Sequence, residues 1–263
     1  MRNAFVTTKN VLAFNQLCTR LREPSPKGCG LGIIFGDRGR GKTETSIWYT
    51  QRNLENTVRI RVDALWTARG LLEVLVRELK QEPAYKTTDL LEQIRAVLKK
   101  KRPLVIIDEA DYLLKEATRI ETVRDLYDTC LTPFLLVGMA GFERKVHRFP
   151  QVVDRVRDNF LEFGLLGRED TARLATDLCE AVLAQDAVEY ICDNTDGSLR
   201  QIETFVKMAE KAAEANDLDE VNANHLMPKQ AAEAVRRAVA RSKRSSVPPG
   251  APVLPETAAA QSA

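Results

Sequence analysis

Histidine is scarce in this chain of 263 residues, which holds only His147 and His225. That leaves little basis for a histidine-built metal centre or a histidine-driven nucleophile. Cysteine is sparse as well. Cys18, Cys29, Cys130, Cys179 and Cys192 are odd in number and contain no C-x-x-C pair. They argue against a disulfide framework or a zinc site and suit reduced thiols in a cytoplasmic protein. No run of about eighteen apolar residues occurs, so no membrane span is expected. The opening residues lack the apolar core of a signal peptide. A net charge of only +2 announces no general affinity for nucleic acid, so any such binding has to rest on local patches.

What is present is ordinary soluble composition, 44% hydrophobic and 29% charged, with length enough for one larger domain and a smaller one. Within it stands Gly36-Asp37-Arg38-Gly39-Arg40-Gly41-Lys42-Thr43, which fits the phosphate-binding pattern G-x-x-x-x-G-K-[ST]. Residues 31–35 before it read as a short buried strand, and 44–53 after it as a helix. In that setting backbone N–H groups from Gly36 through Glu44 turn toward a phosphate, and the helix adds its positive end. Lys42 is placed to reach the β- and γ-phosphates of ATP, and the Thr43 hydroxyl to ligate Mg²⁺.

A second motif sits at Pro103-Leu-Val-Ile-Ile-Asp-Glu-Ala-Asp111. Four apolar residues ending in Asp-Glu predict a buried strand that delivers two carboxylates at its tip. After a P-loop this is the Walker B position, with Asp108 in the Mg²⁺ shell and Glu109 polarising the attacking water. The letters Asp-Glu-Ala-Asp do not by themselves make a helicase, whose two lobes need more chain and more motifs. Further strands are expected at 57–62, 133–138 and 159–163. Helices are expected over 11–21, from about 70 to 80, and over 88–101 and 118–130. From residue 169 onward the pattern is helical, near 169–182, 184–194, 198–215 and 222–240. The expected organisation is an N-terminal arm (1–30, broken from the core at 24–28), an α/β nucleotide-binding core with a parallel sheet (31–166), a helical lid (167–240) and a disordered tail (241–263).

These residues resemble an AAA+ ATPase: a P-loop, an Asp-Glu strand tip, a further strand, then a helical lid. Leu135-Leu-Val-Gly-Met-Ala-Gly141, the stretch 150–155, the opening 5–11 and Asp63-Ala-Leu-Trp-Thr67 are similar to the MuB, TnsC and TniB group of transposition target-selection ATPases. That resemblance implies an ATPase that assembles as a homo-oligomer, ring or filament, on duplex DNA and recruits a transposase. It implies an arginine finger at Arg155, with Arg157 as rival, and a nucleotide-sensing Arg200 in Gly197-Ser-Leu-Arg200. It also implies DNA-backbone contacts at Thr67 and Arg69, with Lys99 and Lys100, and Arg59 or Arg61, as further candidates. The basic stretch 236–244 is another candidate contact. Met139 stands where this family usually has a polar residue to orient water, which implies slow turnover. A helicase loader or replication initiator shares the same core and lid and is the first alternative. A protein switch that never touches DNA is the second.

Overall fold

The computed structural model describes residues 1–2, 4–23 and 30–227. The breaker at 24–28, Cys29, the end of the expected helix 222–240, the basic stretch 236–244 and the tail 241–263 lie outside the described residues.

Helix α1 (Lys9–Arg22) starts behind Thr8, whose hydroxyl accepts the Val11 N–H. It is followed by β1 (Leu31–Phe35), α2 (Lys42–Arg52), β2 (Thr57–Arg61), α3 (Ala68–Glu78), α4 (Thr87–Lys101) and β3 (Leu104–Asp108). A 3-10 helix (Ala110–Lys115) then leads to α5 (Ala117–Cys130), β4 (Phe134–Val137), α6 (Phe142–Val146), α7 (Pro150–Val156) and β5 (Phe160–Glu162). The remainder is α8 (Arg168–Leu178), β6 (Val182–Leu183), α9 (Gln185–Asn194), α10 (Leu199–Asn216), β7 (Glu220–Val221) and α11 (Ala223–Leu226).

The first five strands form one parallel sheet in the order β2-β3-β4-β1-β5. Successive strand residues point to opposite faces, and the burial follows that alternation. Leu31, Ile33, Val105, Ile107, Phe134 and Leu136 pack with α3, α4 and α5 on one side. Ile34, Leu104, Ile106, Leu135 and Val137 pack with α1 and with Tyr49 of α2 on the other. Covered on both faces, β1, β3 and β4 are continuous apolar runs, as a parallel sheet requires. A separate cluster holds α8, α9, α10 and α11 together around Leu174, Ile191, Ile202 and Val206, and Val6 of the N-terminal arm is part of it. The arm therefore joins two cores, with α1 on the sheet and Val6 among the later helices.

One expected helix is corrected. The reading of 169–182 as helical overruns, because α8 stops at Leu178 and Val182–Leu183 pairs with Glu220–Val221 as a two-stranded parallel ribbon. Cys179 already has extended backbone angles, and Val182 and Val221 favour them.

Candidate nucleotide site

Parallel strands put all their C-terminal ends on one edge of the sheet. β1 and β3 flank β4, so the loop after β1 and the acidic tip of β3 open side by side, roughly 10 Å apart at two strand spacings. A cavity of about 540 Å³ occupies that position. Its walls include Lys42, Thr43, Arg61, Asp108, Glu109, Met139 and, from α10, Arg200. Arg38, Gly39, Arg40, Gly41 and Glu44 complete the loop side.

The loop is braced from within. Lys42 Nζ donates to the Gly36 carbonyl at 2.7 Å and to the Asp37 carbonyl at 2.8 Å. Burial pulls its pKa below the ordinary lysine value, opposed by the charges of Asp108, Glu109 and Asp37. Gly41 caps α2 in the left-handed region (φ 84°), a conformation glycine adopts without a Cβ penalty. No side chain caps this helix end, so its first-turn N–H groups face the cavity ready for an anion. Arg40 Nη2 reaches the exposed Asp37 at 3.3 Å. Its Nη1 is buried without a hydrogen-bond partner among the described residues, a spare donor beside the loop. Arg38 is exposed.

At the opposite wall, Asp108 is buried and Glu109 is partly exposed. Asp108 Oδ1 accepts the Glu109 N–H at 2.9 Å, and Oδ2 accepts from Arg59 at 2.5 Å. Glu109 holds a left-handed backbone (φ 55°), the kind of local cost that concentrates at functional positions. Its Oε1 lies 3.4 Å from Arg61 Nη2. Asp111, four residues after the strand's last apolar position, accepts the Met139 N–H at 2.6 Å. That bond fixes the end of β4 against the acidic tip, and the sequence offered no sign of it. Among the described residues no three His, Cys, Asp or Glu side chains converge as a ready-made metal site. The groups that suit a hard divalent ion are the Thr43 hydroxyl and the Asp108 carboxylate, which line the same cavity from its two sides, with room left for phosphate and water oxygens.

Arg200 follows the turn at Gly197 and lies against the phosphate loop: a Cβ built on Gly39 would stand 3.2 Å from Arg200 Cβ. Beside the polar cavity is a smaller one of about 110 Å³, lined by Val6, Val11, Thr45, Leu174, Leu178 and Leu199 among others. Sequence reading missed it because these residues come from the arm, α2, α8 and α10, and each looks like ordinary helix core by itself.

The remaining candidates are scattered. Arg155 is committed to Asp128, with Nε to Oδ1 at 3.0 Å and Nη2 to Oδ2 at 2.9 Å. Arg157 is exposed, has a left-handed backbone (φ 52°) and makes no side-chain ion pair among the described residues. The Thr67 hydroxyl caps α3 by accepting the Gly70 N–H at 3.1 Å. Arg69 pairs with Glu73 at 2.8 Å.

The candidates for DNA contact lie in different parts of the fold. Thr67 and Arg69 follow β2 and so lie at the C-terminal edge of the sheet. Lys99 and Lys100 end α4 just before β3 begins and so lie at the opposite edge. A five-residue strand separates the edges by roughly 16 Å, so the two pairs stand at opposite ends of the sheet. The Arg59 guanidinium is turned against Asp108 and Ser46.

The comparisons with known proteins agree with this geometry. The family model described as an AAA domain matches residues 23–146. A Staphylococcus aureus protein described as a potential ATP-binding protein is 25% identical over 256 residues, spanning 83% of this chain and 92% of that one. Among solved structures, the Aeropyrum pernix ORC2 protein in its ADPNP–ADP complexes superposes with a TM-score of 0.68 at 19% identity, covering 94% of this chain and 78% of that one. The Aeropyrum pernix ORC1 protein in complex with DNA gives a TM-score of 0.59 at 18% identity, covering 91% and 69%. At such identities the likeness to the two solved structures is one of fold. Residues 23–146 are thus similar to an AAA domain, the α/β fold matches an AAA+ P-loop core, and with the cavity and its residues these matches support ATPase activity.

Proposed function

We propose that the chain is an ATP-switched, DNA-binding protein of the replication-initiator kind, in which nucleotide state governs assembly on duplex DNA. The observation that carries this reading is the single cavity in which Lys42 and Thr43, Asp108 and Glu109, and Arg200 from a helix outside the sheet core all meet. A nucleotide there touches both cores, so its γ-phosphate sets the angle between them. Residues 31–166 then act as the nucleotide-binding core and the helices from 167 as a lid. The DNA part is supported by the fold shared with an ORC1 protein solved in complex with DNA.

In the chemistry we infer, Lys42, the α2 N–H groups and Arg200 hold the triphosphate. The base takes the apolar cavity walled by Val6, Leu174 and Leu199. Thr43 and Asp108 would hold magnesium, which supplies positive charge to the phosphate oxygens. Glu109 orients a water in line with the bond to be cut and takes its proton as oxygen bonds to the γ-phosphorus. The P–O bond to the β-phosphate breaks, and its electron pair leaves with ADP, where Lys42 meets the developing charge. Met139 brings a thioether where an amide or hydroxyl would help orient that water, so turnover is slow.

Catalytic charge from a neighbouring subunit comes from Arg155 or Arg157, and the freer side chain favours Arg157. Arg157→Ala is expected to lower hydrolysis by about 10³-fold while leaving ATP affinity of the isolated chain unchanged. Arg155→Ala, which removes an exposed ion pair, is expected to cost roughly 1 kcal/mol of stability or less. Steady-state phosphate release at concentrations above and below assembly distinguishes the two.

The target-selection reading, with a transposase as partner, shares this core and is supported by the segment ending in Gly138-Met139-Ala-Gly141. Duplex binding measured with ATP, ADP and no nucleotide, with particle sizing in parallel, tests what both readings have in common. Retention and assembly only with ATP support it. Tight ATP binding with no DNA retention at low salt overturns it in favour of a protein switch. Capture of a helicase or of a transposase by the ATP-bound assembly separates the two DNA readings.

A further inference from the structure

Arg59 lies directly behind the nucleotide cavity. β2 alternates, with Ile60 buried in the sheet core and Arg59 on the other face, toward α2. There Arg59 Nε donates to Ser46 Oγ at 2.8 Å and Nη2 donates to Asp108 Oδ2 at 2.5 Å. Ser46 Oγ passes the link on to the Thr43 carbonyl at 2.8 Å. One guanidinium thus ties the first turn of the phosphate-loop helix to the acidic tip of β3, beneath Thr43 and Asp108.

We propose that Arg59 is a positioning residue that serves as a resident counter-cation for Asp108 and loosens the dependence of nucleotide binding on magnesium. The inference rests on the nucleotide reading above. The Asp108 carboxylate is enclosed, 4% exposed along its side chain, and a buried charge is costly unless it is paired. Arg59 supplies one permanently, held in place by Ser46. A divalent ion drawn toward Asp108 meets a neutral pair in place of a lone negative charge, and its attraction to the site is weakened accordingly. The triphosphate loses less, because Lys42, Arg38, Arg40, Arg61 and Arg200 line the same cavity and carry positive charge of their own. Loading of nucleotide and loading of metal therefore come apart: nucleotide binds first, and metal joins at higher concentration.

The test is equilibrium binding of a fluorescent ADP analogue to the full chain, in EDTA and across a magnesium titration. Manganese titration of the ADP-loaded protein, read by electron paramagnetic resonance, runs alongside it. For the unmodified chain, removing metal is expected to weaken ADP binding by no more than about threefold. In Arg59→Gln the same removal is expected to weaken it by about tenfold or more, with the manganese midpoint about tenfold lower than in the unmodified chain. Arg59→Lys keeps the charge but not the double reach to Ser46 and Asp108, and should fall between them; it carries the test should Arg59→Gln not fold. A merely structural ion pair would lower the melting temperature of both variants and leave the manganese midpoint where it was, which overturns the proposal. So does ADP binding by the unmodified chain that collapses in EDTA. A chain that binds no analogue at any metal concentration fails at the nucleotide reading itself, and the proposal falls with it.

Discussion

Glu109→Gln is expected to lower ATP hydrolysis by about 10²- to 10⁴-fold, the range for removing a general base, while ATP still binds. The amide is isosteric and its oxygen can still accept from Arg61, which lies 3.4 Å from Glu109 Oε1, so the cavity wall keeps its shape. What it loses is the ability to take a proton from the attacking water. Asp108, behind it, is occupied by Arg59 and by the Glu109 N–H and is poorly placed to substitute. Single-turnover mixing of excess protein with radiolabelled ATP reads both halves of the expectation. Retained label with almost no phosphate release supports it. Phosphate release at the unmodified rate would assign the chemistry to another group.

Gly197→Ala is expected to be the most damaging small substitution at the junction of the two cores. Gly197 holds φ at +70°, and a Cβ there would stand 2.1 Å from the Leu166 carbonyl oxygen. The Leu166 N–H donates to the Gly197 carbonyl at 2.9 Å, so neither strand of chain can step aside without breaking that bond. A left-handed alanine alone costs about 1–2 kcal/mol. With the clash the loss is roughly 3 kcal/mol, a fall of about 6–12 °C in melting temperature for a chain of this size. The turn also carries Arg200, so ATP affinity should fall with stability. A melting curve unchanged within about 2 °C would contradict this picture of the junction.

The parts of this site legible in the sequence are those whose chemistry is carried by neighbours in the chain. Gly36 to Thr43 and Asp108-Glu109 announce themselves because loop and strand tip each need adjacent residues of fixed type. β1, β3 and β4 could be read because burial on both faces leaves continuous apolar runs. Arg59 could not. In Thr-Val-Arg-Ile-Arg the basic positions look like the solvent face of a strand, and only pairing β2 beside β3 reveals that Arg59 faces Asp108. The same holds for Asp111 with Met139, which are joined across two strands. The charges of Lys99 and Arg69 are visible in the sequence, while the end of the sheet each occupies is not. β6 and β7 are too short for any periodicity to register. The apolar cavity between the N-terminal arm and helices α8 and α10, with Val6 and Leu199 on its walls, exists only once distant segments are brought together.

The most direct test of the account is calorimetric titration of ATP into the unmodified chain and into Lys42→Ala. Lys42 braces the loop through the Gly36 and Asp37 carbonyls and is the charge nearest the expected phosphates. Losing a charge-assisted contact of this kind costs about 2–3 kcal/mol, or roughly 30- to 150-fold in affinity. The account predicts saturable binding of one ATP per chain, weakened by that factor in the variant. No saturable binding by the unmodified chain, or equal affinity in both, would contradict it.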